Sequence, residues 1–162
     1  MLNRNSGIPV QQSEWIDIFG PHITFLTGVS TTQDDYALVL GVVGPGVTIP
    51  LHSHEDRETM FVLSGNAQAY VGGEWMNVSA GDVVDVRSNT PHALHNNTHT
   101  ELRVLKIVTS KMEQFFREIG KPVSQTPEMP TAEEIARLMD ASARFGFWTG
   151  SPADNAKIGL VL

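Results

Sequence analysis

The feature that most restricts the fold is a series of short apolar segments between residues 22 and 109, separated by turns rich in glycine and proline. The first two, HITFLTGV and YALVLGVV, are rich in aliphatic residues, aromatic residues and threonine, a composition typical of β-strands. Further strands are predicted over residues 47–54, 59–63, 67–71, 74–78, 83–86, 92–95 and 101–109. Because no helical pattern interrupts the series, the chain is predicted to be mainly all-β, an antiparallel sandwich or barrel rather than a parallel sheet.

After residue 110 the spacing of the apolar residues becomes helical. A short helix is predicted over residues 111–119, because the sequence GKP that follows is a stop signal. Thr131 and Glu134 have the spacing of a capping box, which predicts the start of a second helix that runs to Gly146. The predicted organisation is an N-terminal arm over 1–20, a β-barrel over 21–110 and a C-terminal helical extension over 111–162 packed on the barrel.

Composition and charge limit the class of protein. A length of 162 residues favours one domain, and 41% hydrophobic with 18% charged residues is typical of a soluble globular chain. The formal net charge of −7 gives no basic footprint for nucleic acid, so no nucleic-acid partner is expected. There is neither a long apolar run nor a secretory signal pattern, so we expect no membrane association and a cytoplasmic location.

The stretch over residues 46–65 reads GVTIPLHSHEDRETMFVLSG and carries the first group of candidate ligands. His52 and His54 alternate by two, so on a strand both imidazoles project from one face. Glu58 follows a short turn, where an antiparallel return strand would begin. These three donors are therefore predicted to converge on one point.

A second stretch, over residues 81–96, reads GDVVDVRSNTPHALHN and can bring in a fourth donor, His92. The chain has no cysteine, so no thiolate ligand is available. Three imidazoles and one carboxylate suit a divalent transition metal such as Fe, Mn, Ni, Zn or Cu that keeps open coordination positions. His95 lies three residues past His92 and is expected on the opposite face of the strand.

The first stretch resembles the first of the two motifs of the cupin superfamily. That motif is a glycine, two histidines one residue apart, a glutamate and a second glycine. The residues that match it without a departure are Gly46, His52, His54, Glu58 and Gly65.

The second stretch resembles the second cupin motif less completely. Gly81, His92 and Asn96 fit, whereas Arg87 stands where the motif has proline and Asn89 where it has glycine. Both departures fall at positions that shape the turn and leave the ligand set intact. Asparagine adopts the left-handed backbone conformation at modest cost, so the turn is expected to survive.

This resemblance implies a double-stranded β-helix, or jelly-roll barrel, with a divalent metal held by His52, His54, Glu58 and His92. It also implies a homodimer. The helical extension resembles that of single-domain bacterial cupins of the quercetin dioxygenase-like type. Because the superfamily hosts oxygenases, isomerases, decarboxylases, storage proteins and sugar-sensing regulators, the resemblance alone does not name a reaction.

Our leading hypothesis is a metal-dependent dioxygenase that acts on a small enolic or phenolic, flavonol-like substrate, with Glu58 as the catalytic base. One alternative is a non-catalytic cupin that binds or senses a small molecule. The other is a metal-dependent isomerase or lyase with the same ligands. All three imply a small-molecule partner.

The residues predicted to line the substrate pocket follow from strand alternation. Met60 and Val62 share a face with Glu58, and Leu94 shares one with His92, so these side chains should point inward. The candidate lining residues are Met60, Val62, Tyr70, Arg87 and Leu94. For Arg87 two interpretations stay open, a solvated charge at a strand end or a residue at the pocket mouth that orients an anionic substrate.

Overall fold

The computed structural model describes residues 14–27, 36–124, 126 and 129–161. The strands are β1 (Ile16–Asp17), β2 (His22–Phe25), β3 (Ala37–Val43), β4 (Thr48–Ser53), β5 (Glu58–Ser64), β6 (Asn66–Val71), β7 (Glu74–Ser79), β8 (Val83–Val86), β9 (His92–His95), β10 (Leu102–Val108), β11 (Lys121–Pro122) and β12 (Trp148–Thr149). The helices are α1 (Ser110–Ile119), α2 (Ala132–Phe145) and α3 (Pro152–Lys157). Residues 1–13 of the predicted arm lie outside the described residues.

Within these ranges the strands form two antiparallel sheets that face each other. The larger has the order β11-β1-β2-β3-β10-β5-β8, and the smaller has the order β12-β4-β9-β6-β7. From β3 to β10 the chain passes back and forth between the sheets, which is the connectivity of a jelly roll. The predicted antiparallel double-stranded β-helix with a short helical C-terminal part is therefore confirmed.

The sheets do not close into the predicted barrel. Two edges that closure would have to pair are already taken by strands outside the jelly roll: β2 pairs with β3 in the larger sheet, and β12 pairs with β4 in the smaller. The space between the sheets holds an apolar core that includes Val62, Ala69, Leu94 and Val104. A sandwich with two facing sheets therefore describes the architecture better than a barrel.

The two predicted helices are confirmed, each with a side-chain cap. Thr109 caps α1 by accepting from the backbone N–H of Met112. The capping box of Thr131 and Glu134 is present at α2, which ends at Gly146 in the left-handed conformation. The apolar faces of these helices pack with strands β2 and β3 in a second core cluster. None of the helices in the described ranges has the length and apolar character needed to cross a membrane.

The tail after α2, which no sequence pattern assigned, is fixed to β4 through one buried side chain. The fully buried Asn155 accepts from the backbone N–H of Leu51 at 2.8 Å and donates to the carbonyls of Gly150 and Ser151 at 3.1 and 3.0 Å. The N–H of Gly150 donates in turn to the carbonyl of Leu51 at 2.7 Å. The tail therefore covers the edge of the strand that carries His52.

We expect Asn155→Ala to lower the free energy of unfolding by about 2 kcal/mol, because it leaves the buried N–H of Leu51 without its acceptor. Urea denaturation followed by tryptophan fluorescence measures this loss. The matched control is Asn97→Ala, since Asn97 is exposed and donates to Gln68 at 3.2 Å. An equal loss in both variants would contradict the anchoring role of Asn155.

A candidate metal centre at the floor of an apolar cavity

An irregularity in the β4–β9 pair directs His52 into the space between the sheets. Ile49 lies opposite Leu94 and His52 lies opposite His92, so β4 has one more residue than β9 between these two pairs. The extra residue turns Ile49 and His52 to the same inner side, although three positions separate them. The imidazoles of His52 and His92 are then neighbours across the ladder, with ring centroids 4.0 Å apart.

His54 and Glu58 reach the same point from the connection between the two sheets. His54 directly follows β4 in the smaller sheet, and Glu58 is the first residue of β5 in the larger one. Oε2 of Glu58 lies 3.5 Å from Nε2 of His54 and 3.8 Å from Nε2 of His92. Glu58 thus lies beside His54 and His92 where the two sheets meet, whereas the group of described residues whose ligand atoms all lie within 4.8 Å of one another consists of His52, His54 and His92. The role of Glu58 as a fourth ligand stays a prediction.

Backbone carbonyls fix the orientation and the tautomer of all three imidazoles. Each Nδ1 contacts a carbonyl oxygen within two residues in the chain. The contacts are His52 to Pro50 at 2.7 Å, His54 to Asp56 at 2.8 Å and His92 to Thr90 at 2.9 Å. Since a carbonyl oxygen only accepts, each Nδ1 must carry the proton, and in a neutral imidazole the lone pair then resides on Nε2.

These lone pairs face one another without a protein donor between them. Ring nitrogens of the three histidines all lie within 4.8 Å of one another. Nε2 of His54 and Nε2 of His92 are buried and have no hydrogen-bond partner among the described residues. Buried polar atoms seldom stay unpaired, so this arrangement fits a bound cation, and imidazole nitrogens favour a divalent transition metal.

The charge state of the cluster also favours cation binding. Burial, together with the neighbouring His92, lowers the pKa of His52 to about 3, so this imidazole is neutral at physiological pH. Burial opposes ionisation of Glu58. The ammonium of Lys106 and the contacts with His54 and His92 nevertheless hold the pKa of that carboxyl well below its usual range. The cluster therefore combines imidazole lone pairs with one carboxylate.

The cluster lies at the polar floor of a cavity of about 320 Å³. Of the predicted lining residues, Met60, Tyr70 and Leu94 contribute to its wall. The two helices and the tail complete it. Their contribution consists of Met112, Phe115, Phe116, Ile119, Leu138, Ser142, Phe147 and Thr149. Most of these side chains are apolar, so the cavity offers an apolar wall above a polar floor.

The structure places Val62 and Arg87 away from this wall. Val62 shares a face with Met60 but lies two residues further from Glu58 along β5, where it is 1% exposed in the core between the sheets. Arg87 follows the last residue of β8, in which Val84 and Val86 point inward, so its side chain points outward and is exposed. Neither side chain contacts the cavity that the described residues enclose.

The wall residues from the helices and the tail were not among the candidates from the sequence, and neither were the two residues that contact the predicted ligands, Lys106 and Phe147. Lys106 lies on β10, and its Nζ is 2.6 Å from Oε1 of Glu58. The inward positions of β10 read Leu102, Val104, Lys106 and Val108, so a charged residue in an otherwise apolar series was the available signal.

Phe147, from the unassigned tail, lies with its ring centroid 4.9 Å from that of His54 and stacks on Phe115 at 4.0 Å. No sequence pattern pointed to it. Its place in the site depends on the docking of the tail against β4.

The chain is similar to a known domain family, to individual known proteins and to solved structures. Residues 39–108 match the family described as a cupin domain. Quercetin 2,3-dioxygenase of Bacillus subtilis is 28% identical over 131 residues, which cover 78% of this chain and 39% of that protein. An oxalate-binding protein of Thermotoga maritima is 31% identical over 65 residues, which cover 40% of this chain and 54% of that protein. The chain thus spans well under two thirds of the length of either relative.

Solved structures show the same fold at low identity. An RmlC-like cupin from Shewanella frigidimarina superposes with a TM-score of 0.58 at 20% identity, covering 68% of this chain and 95% of its own. A predicted oxalate decarboxylase from Thermotoga maritima superposes with a TM-score of 0.57 at 19% identity, covering 63% and 96%. The family match over residues 39–108 and the two-sheet topology identify this part of the chain as a cupin domain, and the solved structures share its fold.

Proposed function

We propose that this chain is a metal-dependent dioxygenase that acts on a small enolic or phenolic, flavonol-like substrate. The observation that carries the proposal is the convergence of three imidazoles at the floor of an apolar cavity, where Nε2 of His54 and Nε2 of His92 are buried without a hydrogen-bond partner among the described residues. The similarity to quercetin 2,3-dioxygenase of Bacillus subtilis over 78% of the chain supports the same class of reaction.

The cavity wall favours a planar, largely apolar substrate. Its volume of about 320 Å³ lies at the lower end of the range for pockets that hold drug-sized ligands. Phe115, Phe116 and Phe147 provide aromatic surface on which a phenolic ring can pack. We therefore expect a molecule of flavonol size or smaller, without an attached sugar.

The same wall distinguishes this substrate class from a small dicarboxylate of the kind that the oxalate-binding relative is named for. A dicarboxylate without a ring could bind a divalent metal at the imidazoles, but it would leave the aromatic surface of the wall without a partner. A substrate with a planar ring uses both the polar floor and the aromatic wall.

In such a reaction the imidazoles hold the metal, Glu58 accepts a proton, and the apolar wall orients the substrate. Bound at the imidazoles, a divalent transition metal would act as a Lewis acid and redox centre for the substrate oxygen and dioxygen. The ionised Glu58 accepts the hydroxyl proton of the substrate, since its Oε2 faces the imidazole side of the cavity. The apolar wall orients the substrate ring and excludes bulk water.

Oxygen consumption by metal-loaded protein tests this function. We expect the Fe(II), Mn(II) or Ni(II) form to take up about one dioxygen for each flavonol or enediol consumed, and Glu58→Gln to slow uptake by at least about a hundredfold. An oxygen electrode measures both rates, and metal-free protein is the control. No uptake by fully loaded protein across a panel of flavonols, catechols and enediols would favour the binding protein instead.

Two further expectations stay predictions. They are the homodimer implied by the family resemblance and the cytoplasmic location. Sedimentation of the purified chain would measure the oligomeric state.

A further inference from the structure

Lys106 is a buried lysine in a place where strand alternation calls for an apolar residue. It lies opposite Met60 across the β10–β5 ladder and points into the cavity, with 8% of its surface exposed. The ring of Phe116 lies 5.8 Å from its ammonium. Burying an ammonium is costly unless it is paired, so this residue calls for an explanation.

The two oxygens of Glu58 have different surroundings. Oε1 lies 2.6 Å from the Lys106 ammonium, while Oε2 lies 3.5 and 3.8 Å from Nε2 of His54 and His92. The ammonium and the imidazoles therefore approach the carboxylate through different oxygens. Rotation of the carboxylate away from Lys106 would break this close ion pair and leave a buried ammonium without its partner, which is costly.

We propose that Lys106 is a positioning residue, which holds Oε1 of Glu58 and thereby presents Oε2 alone to the imidazole cluster. The inference rests on the proposed metal site and adds a residue that the cupin motifs do not contain. Glu58 is then limited to one donor oxygen, and the ammonium offsets the charge of the carboxylate in the metal-free cavity. Without Lys106, both oxygens of Glu58 become available to a metal, and the negative charge of the carboxylate is no longer offset.

Cobalt(II) is a suitable probe, because its visible spectrum reports the number and type of its ligands independently of any activity. Four proteins are compared: wild type, Lys106→Met, Glu58→Gln and the double variant. We expect Lys106→Met to change the cobalt spectrum and to tighten cobalt binding by about tenfold, since a neighbouring positive charge is removed and a second oxygen is freed. In the Glu58→Gln background, the same lysine substitution should leave the spectrum unchanged. Lys157→Met, which removes an exposed lysine paired with Asp154, is the matched control.

The outcomes separate failure of the inference from failure of the metal site. A wild-type protein that binds no cobalt would overturn the metal site itself. Cobalt binding with the same spectrum in wild type and Lys106→Met would overturn only the role of Lys106, as would an equal spectral change in the Glu58→Gln background.

Folding of the variants supplies a second test. If Lys106→Met does not fold but the double variant does, the lysine acts through Glu58, as proposed. If neither folds while Glu58→Gln does, Lys106 is required by the fold irrespective of Glu58, and the positioning role is wrong.

Discussion

Replacing His92 by alanine should lower the affinity for a divalent transition metal by about a thousandfold or more, because a direct ligand is lost. Nε2 of His92 is buried, has no hydrogen-bond partner among the described residues, and lies 3.8 Å from Oε2 of Glu58. Its Nδ1 is held by the carbonyl of Thr90 at 2.9 Å, so the ring cannot turn away without breaking that bond. Competition with a chromophoric chelator measures the affinity, and elemental analysis gives the metal content.

The control for this substitution lies on the same strand. His95 is at the other end of β9, and its Nδ1 contacts the hydroxyl of Thr48 at 2.8 Å rather than the cluster. His95→Ala should therefore keep the metal affinity within about twofold of wild type. If His92→Ala kept full metal content while His95→Ala lost it, the metal centre would have to be placed elsewhere.

The sequence indicated the fold through features that act locally. Alternation within short segments and glycine-rich turns predicted the antiparallel jelly roll, and a capping box located the start of α2 at its correct residue. Asn89, at a glycine position of the motif, adopts the predicted left-handed conformation, with φ of 58°. Closure into a barrel was not predictable in this way, since it depends on which distant strands occupy the free sheet edges.

In the candidate site, too, residues that lie close together in one stretch of the sequence were predicted, whereas two that come from distant segments were not. The spacing of His52, His54 and Glu58 within one stretch predicted their proximity from strand alternation and one turn. The irregularity in the β4–β9 pair that turns His52 inward was not predicted. Lys106 joins them from a strand far along the chain, and Phe147 does so from a tail whose docking on β4 has no sequence signal. Val62 was predicted to line the pocket but lies in the core between the sheets. Strand alternation predicts which face of a strand a side chain occupies, but not how far along the strand the cavity extends.

The connection between β5 and β6 gives the largest expected effect on stability. Gly65 has φ of +82°, and it lies where the chain leaves the larger sheet and enters the smaller one. A Cβ at this position would lie 2.2 Å from the carbonyl oxygen of Glu101 and 2.9 Å from Cα of Leu102. Both obstacles are backbone atoms at the start of β10, so they cannot move aside as the end of a flexible side chain can.

We expect Gly65→Ala to lower the free energy of unfolding by about 4 kcal/mol, the sum of left-handed strain and a steric overlap that shifts backbone. Gly46→Ala separates the two causes. Its φ of +76° is close to that of Gly65 and similarly unfavourable for alanine, but no described atom lies within 4 Å of the added Cβ. That variant should lose only about 1–2 kcal/mol. Urea denaturation of both proteins measures the difference, and equal losses would show that backbone strain alone, without the contact at Glu101, determines the need for glycine at residue 65.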